Sequence, residues 1–464
     1  MPRYHVDSVL SAAGWLRDVT LEVSSHGLIT ALTADTAAAQ AERIEGILVP
    51  GIANAHSHAF QRAMAGDSEF RTLAHESFWT WREAMYALAN GLQPEELELI
   101  ATQLFIEMLK AGYTSVAEFH YLHRRTDGSA YESHNALWQA IDAAATTAGI
   151  ALTLLPTLYL SSDFGAQALR REQHRFRLSV DEFLQAIARR RSDLASRPDG
   201  LLQTGAALHS LRAVPLESLR AAVAGLRALD AAGVIHIHVA EQLREVRACQ
   251  QATGRRPIEL LLDTGLPDEH WCLVHATHAT GAEIAAVAAS RASVCACPST
   301  EANLGDGFFD AARLLSAGGR LCIGSDSQAS VSPAEELRWL EYQQRLRRRR
   351  RAVLASRSEP HAGGRLWREA ARCGAQALGQ NSGAIEVGRR ADWLVLEREH
   401  PALAGAAQDG VLDRLVFSGA QAAIRDVMVA GRWVVERGRH RAEADTARRY
   451  AAWMLQRGRL LAPH

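Results

Sequence analysis

The chain has 464 residues, a length that suits one large α/β barrel with a smaller attached domain. Its content of 48% hydrophobic and 22% charged residues is that of an ordinary globular protein, and 51 basic against 52 acidic residues give a formal net charge of −1. This balance provides no global field for attracting nucleic acid or an anionic membrane, so we expect neither as a partner.

Cysteine usage and hydropathy favour a cytoplasmic protein. No window approaches 18 uncharged apolar residues, and the first residues lack a charged segment followed by an apolar one, so we expect no membrane span and no secretory signal. The six cysteines mostly lie in apolar runs, and none forms the C-x-x-C spacing of a structural zinc site. We therefore interpret them as reduced core residues.

The two ends of the chain predict a small β-sandwich-like domain, formed by residues 1–48 and 384–464. Both stretches contain short alternating apolar segments with turn signals between them. Gly431 and Arg432, for example, lie between two apolar runs as a hairpin turn would. The final Ala- and Arg-rich segment, 442–462, predicts a helix.

The central residues 49–383 predict a (β/α)8 barrel. Apolar strand-like runs alternate there with helix-like segments, which is typical of parallel βαβ units. Eight such runs end near His56, His120, Pro156, His209, His238, His275, Pro298 and Asp326. Six of these eight runs end on a histidine or an aspartate. Because a parallel barrel has its active site at the carboxyl ends of its strands, these polar residues mark the predicted site.

A metal centre is predicted at that end of the barrel. His56 and His58 follow an apolar run at a spacing of two, so both imidazoles lie on the same side of the backbone. Alone this pair is weak evidence, because histidines are also ordinary polar residues at strand ends. His238 and Asp326 complete a nitrogen and oxygen donor set suited to zinc or another divalent transition ion. We predict one divalent ion per subunit, zinc, bound by His56, His58, His238 and Asp326.

His236 is the competing ligand, because it shares a strand and a face with His238. We favour His238, which is nearer the strand end and is followed by Glu241 on the next loop. Glu241 is the predicted proton carrier, although a carboxylate there also suits a helix N-terminus. His275 is predicted as a second base, with a buried, hydrogen-bonded structural histidine as its other interpretation.

These residues predict hydrolysis at an sp2 carbon. A bound metal ion lowers the pKa of its water to about 7, which makes hydroxide available at neutral pH. His275 and Asp326 would accept the proton of the water, and Glu241 would protonate the nitrogen of a C=N bond. The predicted catalytic residues are therefore Glu241, His275 and Asp326.

Residues 50–58, 238–241, His275 and 325–326 resemble the amidohydrolase superfamily, in its mononuclear deaminase branch. The resemblance spans nearly the whole chain, and residues 388–396 are similar to the split β-sandwich of that superfamily. It implies a metal-dependent hydrolase on a (β/α)8 barrel, and a homodimer.

The number of metal ions also depends on lysine. Many members of the superfamily hold two metals bridged by a carboxylated lysine on the fourth strand. The one lysine of this chain, Lys110, lies in a predicted helix before the second strand. Its position favours a single metal.

A narrower resemblance concerns the substrate. Residues 56–66 and 77–86 are similar to those superfamily members that hydrolyse N-formimino-L-glutamate to N-formyl-L-glutamate and ammonia. Such a small dicarboxylate requires cations in the pocket. The substrate-binding residues that this resemblance implies are Gln61, Arg82, Tyr121, His209 and Arg212.

Two other functions stay open. A deaminase or chlorohydrolase of a heterocycle such as guanine or a triazine would use the same metal site, and Phe78, Trp79 and Trp81 offer aromatic contacts for a ring. A non-catalytic barrel scaffold is the other alternative, although such proteins usually lose metal ligands. The basic run 345–351 continues an acidic-then-basic helical segment, so we interpret it as a solvated helix face and not as a nucleic-acid patch.

Overall fold

The computed structural model describes residues 1–38, 40–67, 69, 78–132, 135–196 and 200–461. Ser77, within the segment 77–86 that carries the narrower resemblance, lies outside the described residues. In chain order the described strands are β1 (Arg3–Ser11), β2 (Gly14–Val23), β3 (Ile29–Thr33), β4 (Glu42–Ile44), β5 (Ile47–Pro50), β6 (Ile52–Ser57), β7 (Tyr113–His120), β8 (Ala151–Leu158), β9 (Leu202–Thr204), β10 (Ala206–Ser210), β11 (Ile235–Val239), β12 (Trp271–His275), β13 (Ser293–Ala296), β14 (Arg320–Ile323), β15 (Trp393–Leu396), β16 (Ile424–Val429), β17 (Arg432–Glu436) and β18 (Arg439–His440).

The described α-helices are α1 (Phe78–Gly91), α2 (Pro94–Ala111), α3 (Ala136–Ala148), α4 (Val180–Ala195), α5 (Leu216–Leu229), α6 (Leu243–Thr253), α7 (Pro257–Leu262), α8 (Gly281–Ser290), α9 (Pro298–Asn303), α10 (Ala311–Ser316), α11 (Pro333–Arg348), α12 (Ala362–Ala377), α13 (Asp409–Phe417) and α14 (Glu443–Leu461). Local sequence sets several of these boundaries. Helix α4, for example, begins after Ser179, whose hydroxyl accepts the Glu182 N–H in a capping box. None of the described helices combines the length and apolar character needed to cross a bilayer.

The barrel is confirmed, with parallel strands in the order β6-β7-β8-β10-β11-β12-β13-β14, and β9 adds to β8. Every residue of β7 and of β8 is buried. Such continuous burial is expected of parallel strands that are covered on both faces, by helices outside and by side chains inside. The eight predicted strand runs correspond to these eight strands.

A second sheet of nine strands is built from both chain ends, as predicted. It runs β18-β17-β16-β15-β5-β1-β2-β3, and β4 also pairs with β1. The N- and C-terminal strands meet where β5 and β15 pair in antiparallel fashion. The predicted domain boundary between residues 48 and 49 falls within β5, and the first barrel strand begins at Ile52.

The amino-terminal end of the barrel is closed by the last residue of α12 and the residue that follows it. The Thr153 hydroxyl of β8 donates a hydrogen bond to the Leu378 carbonyl at 2.8 Å. His236 of β11 bonds the Ala377 carbonyl through Nε2, also at 2.8 Å. His236 therefore lies at the floor of the barrel, on the side away from the carboxyl ends of the strands.

The C-terminal helix packs on the outside of the barrel. Helix α14 lies against α2, where Lys110 forms an ion pair with Glu443. The indole N–H of Trp453 donates to the Glu96 carboxylate at 2.9 Å. Lys110 thus lies on a helix before the second barrel strand, as predicted, and it serves this helix contact.

The basic run has a structural role at its helical end. Arg345 and Arg348 lie on α11, where Arg345 pairs with Glu341 at 2.7 Å and Arg348 with Asp310 at 2.8 Å. These two arginines therefore have acidic partners within the same subunit.

A buried ion pair between α3 and α4 provides a test of the fold. Arg190 and Asp142 have side chains only 6% and 10% exposed and form a two-point contact, with Nη2 to Oδ1 at 2.7 Å. We expect Asp142→Ala to lower the free energy of unfolding by about 3–5 kcal/mol, because it leaves a buried guanidinium without its carboxylate. Urea unfolding followed by circular dichroism measures the change.

The control is Asp7→Ala, which removes the carboxylate of an exposed pair with Arg43. Its expected cost is below about 1 kcal/mol, because solvent screens exposed pairs. Equal losses of stability in the two variants would contradict the structural account of the buried pair.

Candidate active site

The first and last barrel strands meet at the centre of the site. The His58 N–H donates to the Asp326 carbonyl at 3.1 Å, and the Asp326 N–H donates to the His56 carbonyl at 3.0 Å. Gly324 permits this approach, because a Cβ at its position would lie 2.6 Å from the Cβ of His56. The contact that closes the barrel thus brings together two of its predicted ligand segments.

A buried side-chain clamp supports the same junction. The Asn54 amide N–H donates to the Ser325 hydroxyl at 2.7 Å, and its oxygen accepts the Ser325 N–H at 3.0 Å. Asp326, the next residue, has a φ of +48°, a left-handed conformation that costs free energy for a residue with a side chain. The clamp holds Asp326 in this strained position.

The four predicted metal ligands converge. The Nε2 atoms of His56 and His238 are 3.0 Å apart, and Asp326 Oδ1 lies 3.3 Å from His56 Nε2 and 3.5 Å from His58 Nε2. All four residues are buried. His56, His58 and Asp326 form one cluster whose donor atoms lie within 4.8 Å of one another, and His56, His238 and His275 form a second such cluster.

The surrounding hydrogen bonds suit this donor set to a cation. His58 Nδ1 bonds the Phe119 carbonyl at 2.8 Å, and His238 Nδ1 bonds the His209 carbonyl at 3.0 Å. A carbonyl only accepts, so each Nδ1 carries the proton and each Nε2 directs a lone pair at the centre. A backbone-oriented imidazole of this kind is typical of metal-ligating histidines.

Burial keeps these imidazoles neutral. It lowers the pKa of His56 to about 3 against the opposing effect of Asp326, and it also lowers the pKa values of His58 and His238. Although burial itself acts in the opposite direction, contact with His56 holds the pKa of Asp326 well below its usual value. Neutral imidazoles and an ionised carboxylate are the forms that bind a divalent ion, so these residues fit one.

His275 differs from the other histidines. Its Nε2 lies 3.7 Å from Glu241 Oε1 and 3.8 Å from Asp326 Oδ2, and its Nδ1 lies 3.4 Å from Glu301 Oε1. Burial opposes a charge on the ring, but Glu241 and the other carboxylates overcome it and raise the pKa of His275 to about 10. In the metal-free chain this favours the protonated ring, and a protonated ring cannot accept a further proton as the predicted second base would.

Glu241 lies at the rim of this cluster, with 14% of its side chain exposed. Burial raises its pKa to about 7, although the His275 charge acts in the opposite direction. Its backbone N–H donates to Glu245 at 2.9 Å, which fixes the loop between β11 and α6. A carboxyl group with a pKa near neutrality suits proton transfer in both directions.

One cavity joins all the predicted site residues except His56, which is fully buried beneath it. Among its lining residues are the five predicted for substrate binding, Gln61, Arg82, Tyr121, His209 and Arg212. The structure thus places the predicted metal, catalytic and substrate residues at one location.

Two arginines enter this cavity without full partners. Arg212 Nη1 and Arg82 Nε are buried and form no hydrogen bond with any residue that the structure describes. Among the described residues, the carboxylate contact of Arg82 is to exposed Glu83 at 3.9 Å, and that carboxylate also binds Arg170 at 3.0 Å. A buried guanidinium that lacks partners is costly, so the cavity is suited to an anion.

The three remaining predicted contacts form the wall. Gln61 donates to the Tyr121 hydroxyl at 3.1 Å and leaves its own buried oxygen unpaired within the described residues. His209 stacks edge-on against Tyr159 at 4.6 Å between ring centroids. These groups provide polar atoms beside the predicted metal site.

Sequence reasoning missed several residues of the site. Tyr159 lines the cavity, Glu118 supports the histidine loop through Ser57 Oγ at 2.7 Å, and Glu301 contacts His275. Glu118 is fully buried, and burial raises its pKa to about 8. In the sequence, Glu118 could have been found by its position near the end of a predicted strand.

All six cysteines are free and buried, which confirms their interpretation as reduced core residues.

The comparisons with known proteins agree with this geometry. The model of the amidohydrolase family matches residues 47–434, so the chain belongs to that family. Over 451 residues it is 49% identical to formimidoylglutamate deiminase of Pseudomonas aeruginosa, which covers 97% of this chain and 98% of the relative.

Two solved structures are also similar. An amidohydrolase from Brucella melitensis matches with a TM-score of 0.93 at 40% identity and covers 100% of both chains. An adenosine deaminase from Xanthomonas campestris, solved with bound zinc, matches with a TM-score of 0.80 at 22% identity over 98% of each chain. The first likeness extends to the sequence, whereas the second concerns the fold.

Metal content tests the choice between the two histidines of β11. We expect His238→Ala to lower the bound divalent metal well below one ion per chain, because it removes a converging lone pair. His236→Asn should leave the metal content unchanged, since His236 bonds the floor of the barrel. Plasma mass spectrometry of protein purified without chelator measures both. Metal loss in His236→Asn alone would reverse the assignment.

The raised pKa of Glu241 predicts a pH-dependent cost in stability. Its pKa is about 7 in the folded metal-free chain and 4.5 ordinarily, so the folded state holds this proton more tightly. The contribution of Glu241 to the free energy of unfolding is fully present below pH 4.5 and is lost as the pH rises through about 7. In chelated protein, Glu241→Gln should therefore raise the unfolding free energy by on the order of 2 kcal/mol at pH 8, and by much less at pH 4.5.

Urea unfolding at the two pH values measures this difference. Glu172→Gln, which changes an exposed glutamate, is the control and should show no such pH-dependent gain. An equal effect of Glu241→Gln at both pH values would show that Glu241 titrates normally.

Proposed function

We propose that this chain is a hydrolytic deiminase that converts N-formimino-L-glutamate and water to N-formyl-L-glutamate and ammonia. The observation that carries the proposal is the pair of incompletely partnered guanidinium groups, Arg82 and Arg212, in the same cavity as the metal-ligand cluster. The full-length similarity to formimidoylglutamate deiminase supports it.

The two arginines match a dicarboxylate. Their Cζ atoms lie 4.4 Å and 6.0 Å from the Trp79 ring centroid, so the two like charges are held near each other. Each guanidinium can bind a carboxylate through two parallel hydrogen bonds. Two substrate carboxylates would neutralise both cations and supply the missing partners.

The metal ligands in this proposal are His56, His58, His238 and Asp326. A divalent ion bound there would supply Lewis acidity that makes water a nucleophile at neutral pH. We propose zinc, which the nitrogen and oxygen donors support and which is present in the related adenosine deaminase structure.

Glu241 would carry the proton to the substrate. Its pKa of about 7 permits it to give a proton to the imino nitrogen and to take one up again. Protonation makes the formimino carbon more electrophilic and later turns the amino group into ammonia. Water adds to the carbon, the C–N bond to that nitrogen breaks, and the formyl product remains.

Asp326 and His275 would act on the attacking water, the first as proton acceptor and the second by stabilising charge. The lowered pKa of Asp326 keeps this side chain ionised, so an unprotonated carboxylate is available to take that proton. His275, whose Nε2 lies 3.8 Å from Asp326 Oδ2, would in its protonated form stabilise the negative charge that develops on the oxygen. Gln61, Tyr121 and His209 would complete the substrate contacts.

The setting of the enzyme is also a proposal. We propose a cytoplasmic homodimer that acts in histidine degradation, with a barrel of residues 49–383 and a small domain of residues 1–48 and 384–464. Six reduced, buried cysteines are compatible with a reducing compartment.

The pocket chemistry does not favour a heterocycle. Of the three aromatic candidates for stacking on a ring, Phe78 and Trp81 line the cavity, whereas Trp79 has the guanidinium of Arg82 at 4.4 Å and that of Arg244 at 4.2 Å from its centroid. A neutral ring would leave the cationic pocket without anions. A non-catalytic scaffold is less compatible still with the complete set of His56, His58, His238, Asp326 and Glu241.

Substrate choice tests the proposal. An ammonia-release assay compares N-formimino-L-glutamate with N-formiminoglycine, which has one carboxylate, and with guanine and adenosine. We expect kcat/KM to be highest for the dicarboxylate. Arg82→Ala and Arg212→Ala should each lower it roughly 10- to 150-fold, because a hydrogen bond to a charged group contributes about 1.5–3 kcal/mol.

Each arginine variant should discriminate less between the two formimino compounds and should keep its metal. The control is Arg170→Ala, which changes an exposed arginine that pairs with Glu83 and is not one of the residues lining the cavity, and it should stay near wild-type activity. Faster turnover of guanine or adenosine, or unchanged kinetics in both arginine variants, would reject the dicarboxylate substrate.

A further inference from the structure

Glu301 lies behind His275, on the side away from the cavity. It belongs to α9, which follows the seventh barrel strand, and its side chain is fully buried. Oε1 lies 3.4 Å from His275 Nδ1 and accepts the backbone N–H of Cys297 at 2.9 Å. The carboxylate thus joins the start of α9 to the imidazole.

Helix capping alone does not account for this side chain. The Cys297 N–H uses only Oε1, and buried Oε2 accepts no hydrogen bond from the residues that the structure describes. A short polar side chain would satisfy one N–H without burying a carboxylate. A fully buried carboxylate is costly unless it is paired, and the ring that this carboxylate contacts is that of His275.

The backbone of His275 shows that its position is imposed by its surroundings. His275 has a φ of +69° and Ala276 a φ of +51°, both in the left-handed region. Such residues cost on the order of 1–3 kcal/mol each and persist where neighbouring contacts hold them. Stacking on the His238 ring, at 5.6 Å and 16°, provides one contact. The Glu301 contact provides a second.

The two ring nitrogens of His275 face different partners. With Nδ1–H directed to Glu301, Nε2 points toward Glu241 Oε1 and Asp326 Oδ2, at 3.7 Å and 3.8 Å. A carboxylate behind a histidine orients the ring and stabilises its charged form, which is the role of the aspartate in a Ser-His-Asp triad. Without it the ring could rotate away from both carboxylates.

We propose that Glu301 is a positioning residue of the deiminase reaction, which acts by holding the His275 ring with its Nε2 toward Glu241 and Asp326. The inference rests on the proposed function, because it assigns His275 a role in that reaction. Glu301 does not line the substrate cavity, and it is not part of the donor clusters formed by the four predicted metal ligands.

A double-mutant cycle between Glu301 and His275 tests this role. Glu301→Leu should lower kcat roughly 10- to 100-fold, the loss typical for partners that orient a functional histidine, and leave KM for N-formimino-L-glutamate nearly unchanged. Glu301→Gln, which keeps an acceptor oxygen, should restore part of the loss. In a His275→Ala background, Glu301→Leu should have almost no further effect.

Glu336 provides the matched control. It is also fully buried, and it holds the same helix by accepting the Ser299 N–H at 2.9 Å. Glu336→Leu should lower the melting temperature about as much as Glu301→Leu but should change kcat much less. Metal content, measured on every variant, should stay at the wild-type level.

Three results would overturn the proposal. These are equal kcat losses in the Glu301 and Glu336 variants, an undiminished Glu301 effect in the His275→Ala background, or loss of metal from Glu301→Gln. If the wild-type chain does not hydrolyse N-formimino-L-glutamate, the proposed function fails by itself. The double-mutant cycle is then measured with whichever compound of the ammonia-release assay the wild type does hydrolyse. Failure of the proposed substrate and failure of the Glu301 role are in this way distinguished.

Discussion

Two backbone hydrogen bonds between the end of β6 and the segment after β14 hold the whole site in register. The Asp326 N–H donates to the His56 carbonyl, and the Asp326 carbonyl accepts the His58 N–H. Closure of the barrel and assembly of the donor cluster are therefore the same event. A partly opened barrel would lose its ligand geometry before it lost its helices, so metal affinity and the stability of this seam are linked.

The interior around this seam has an unusual amount of charge. His275 lies among three carboxylates, with its pKa raised to about 10 in the metal-free chain, and Arg82 and Arg212 face the cavity with buried nitrogens unpaired within the described residues. Each feature is unfavourable in a metal-free, substrate-free chain, because buried charges lose their hydration. Sites that are arranged for catalysis commonly reduce stability in this way. A divalent cation and a dicarboxylate are the two species that would balance the charge.

Much of the site could be predicted from the sequence, because parallel strands bring their carboxyl ends to one rim. A histidine or aspartate at a strand end, such as His238 or Asp326, is placed there by topology alone. The period of two also predicted that His236 and His238 share a face. The period could not give the depth of each histidine in the barrel, because that depends on the end of α12 reaching the barrel floor, where it contacts His236.

Other parts of the site depend on contacts that no local pattern records. Asn54 and Ser325 are 271 residues apart in sequence yet form the clamp at Asp326. Glu301 has the local pattern of a carboxylate in the first turns of a short helix, so its contact with His275 is visible only once α9 is placed against β12. The close approach at Gly324 likewise follows from three-dimensional register.

Lys110, which pairs with Glu443, makes the protein an unusual target for chemical labelling. Since Lys110 is its one lysine, an amine-directed probe has a single ε-amino target, with the chain terminus as the other amine. That target lies at the contact between the barrel and its C-terminal helix, where 32% of the lysine side chain is exposed. A fluorophore attached at this one position would therefore be located at the docking surface of α14, and surface immobilisation through it would leave the substrate cavity unmodified.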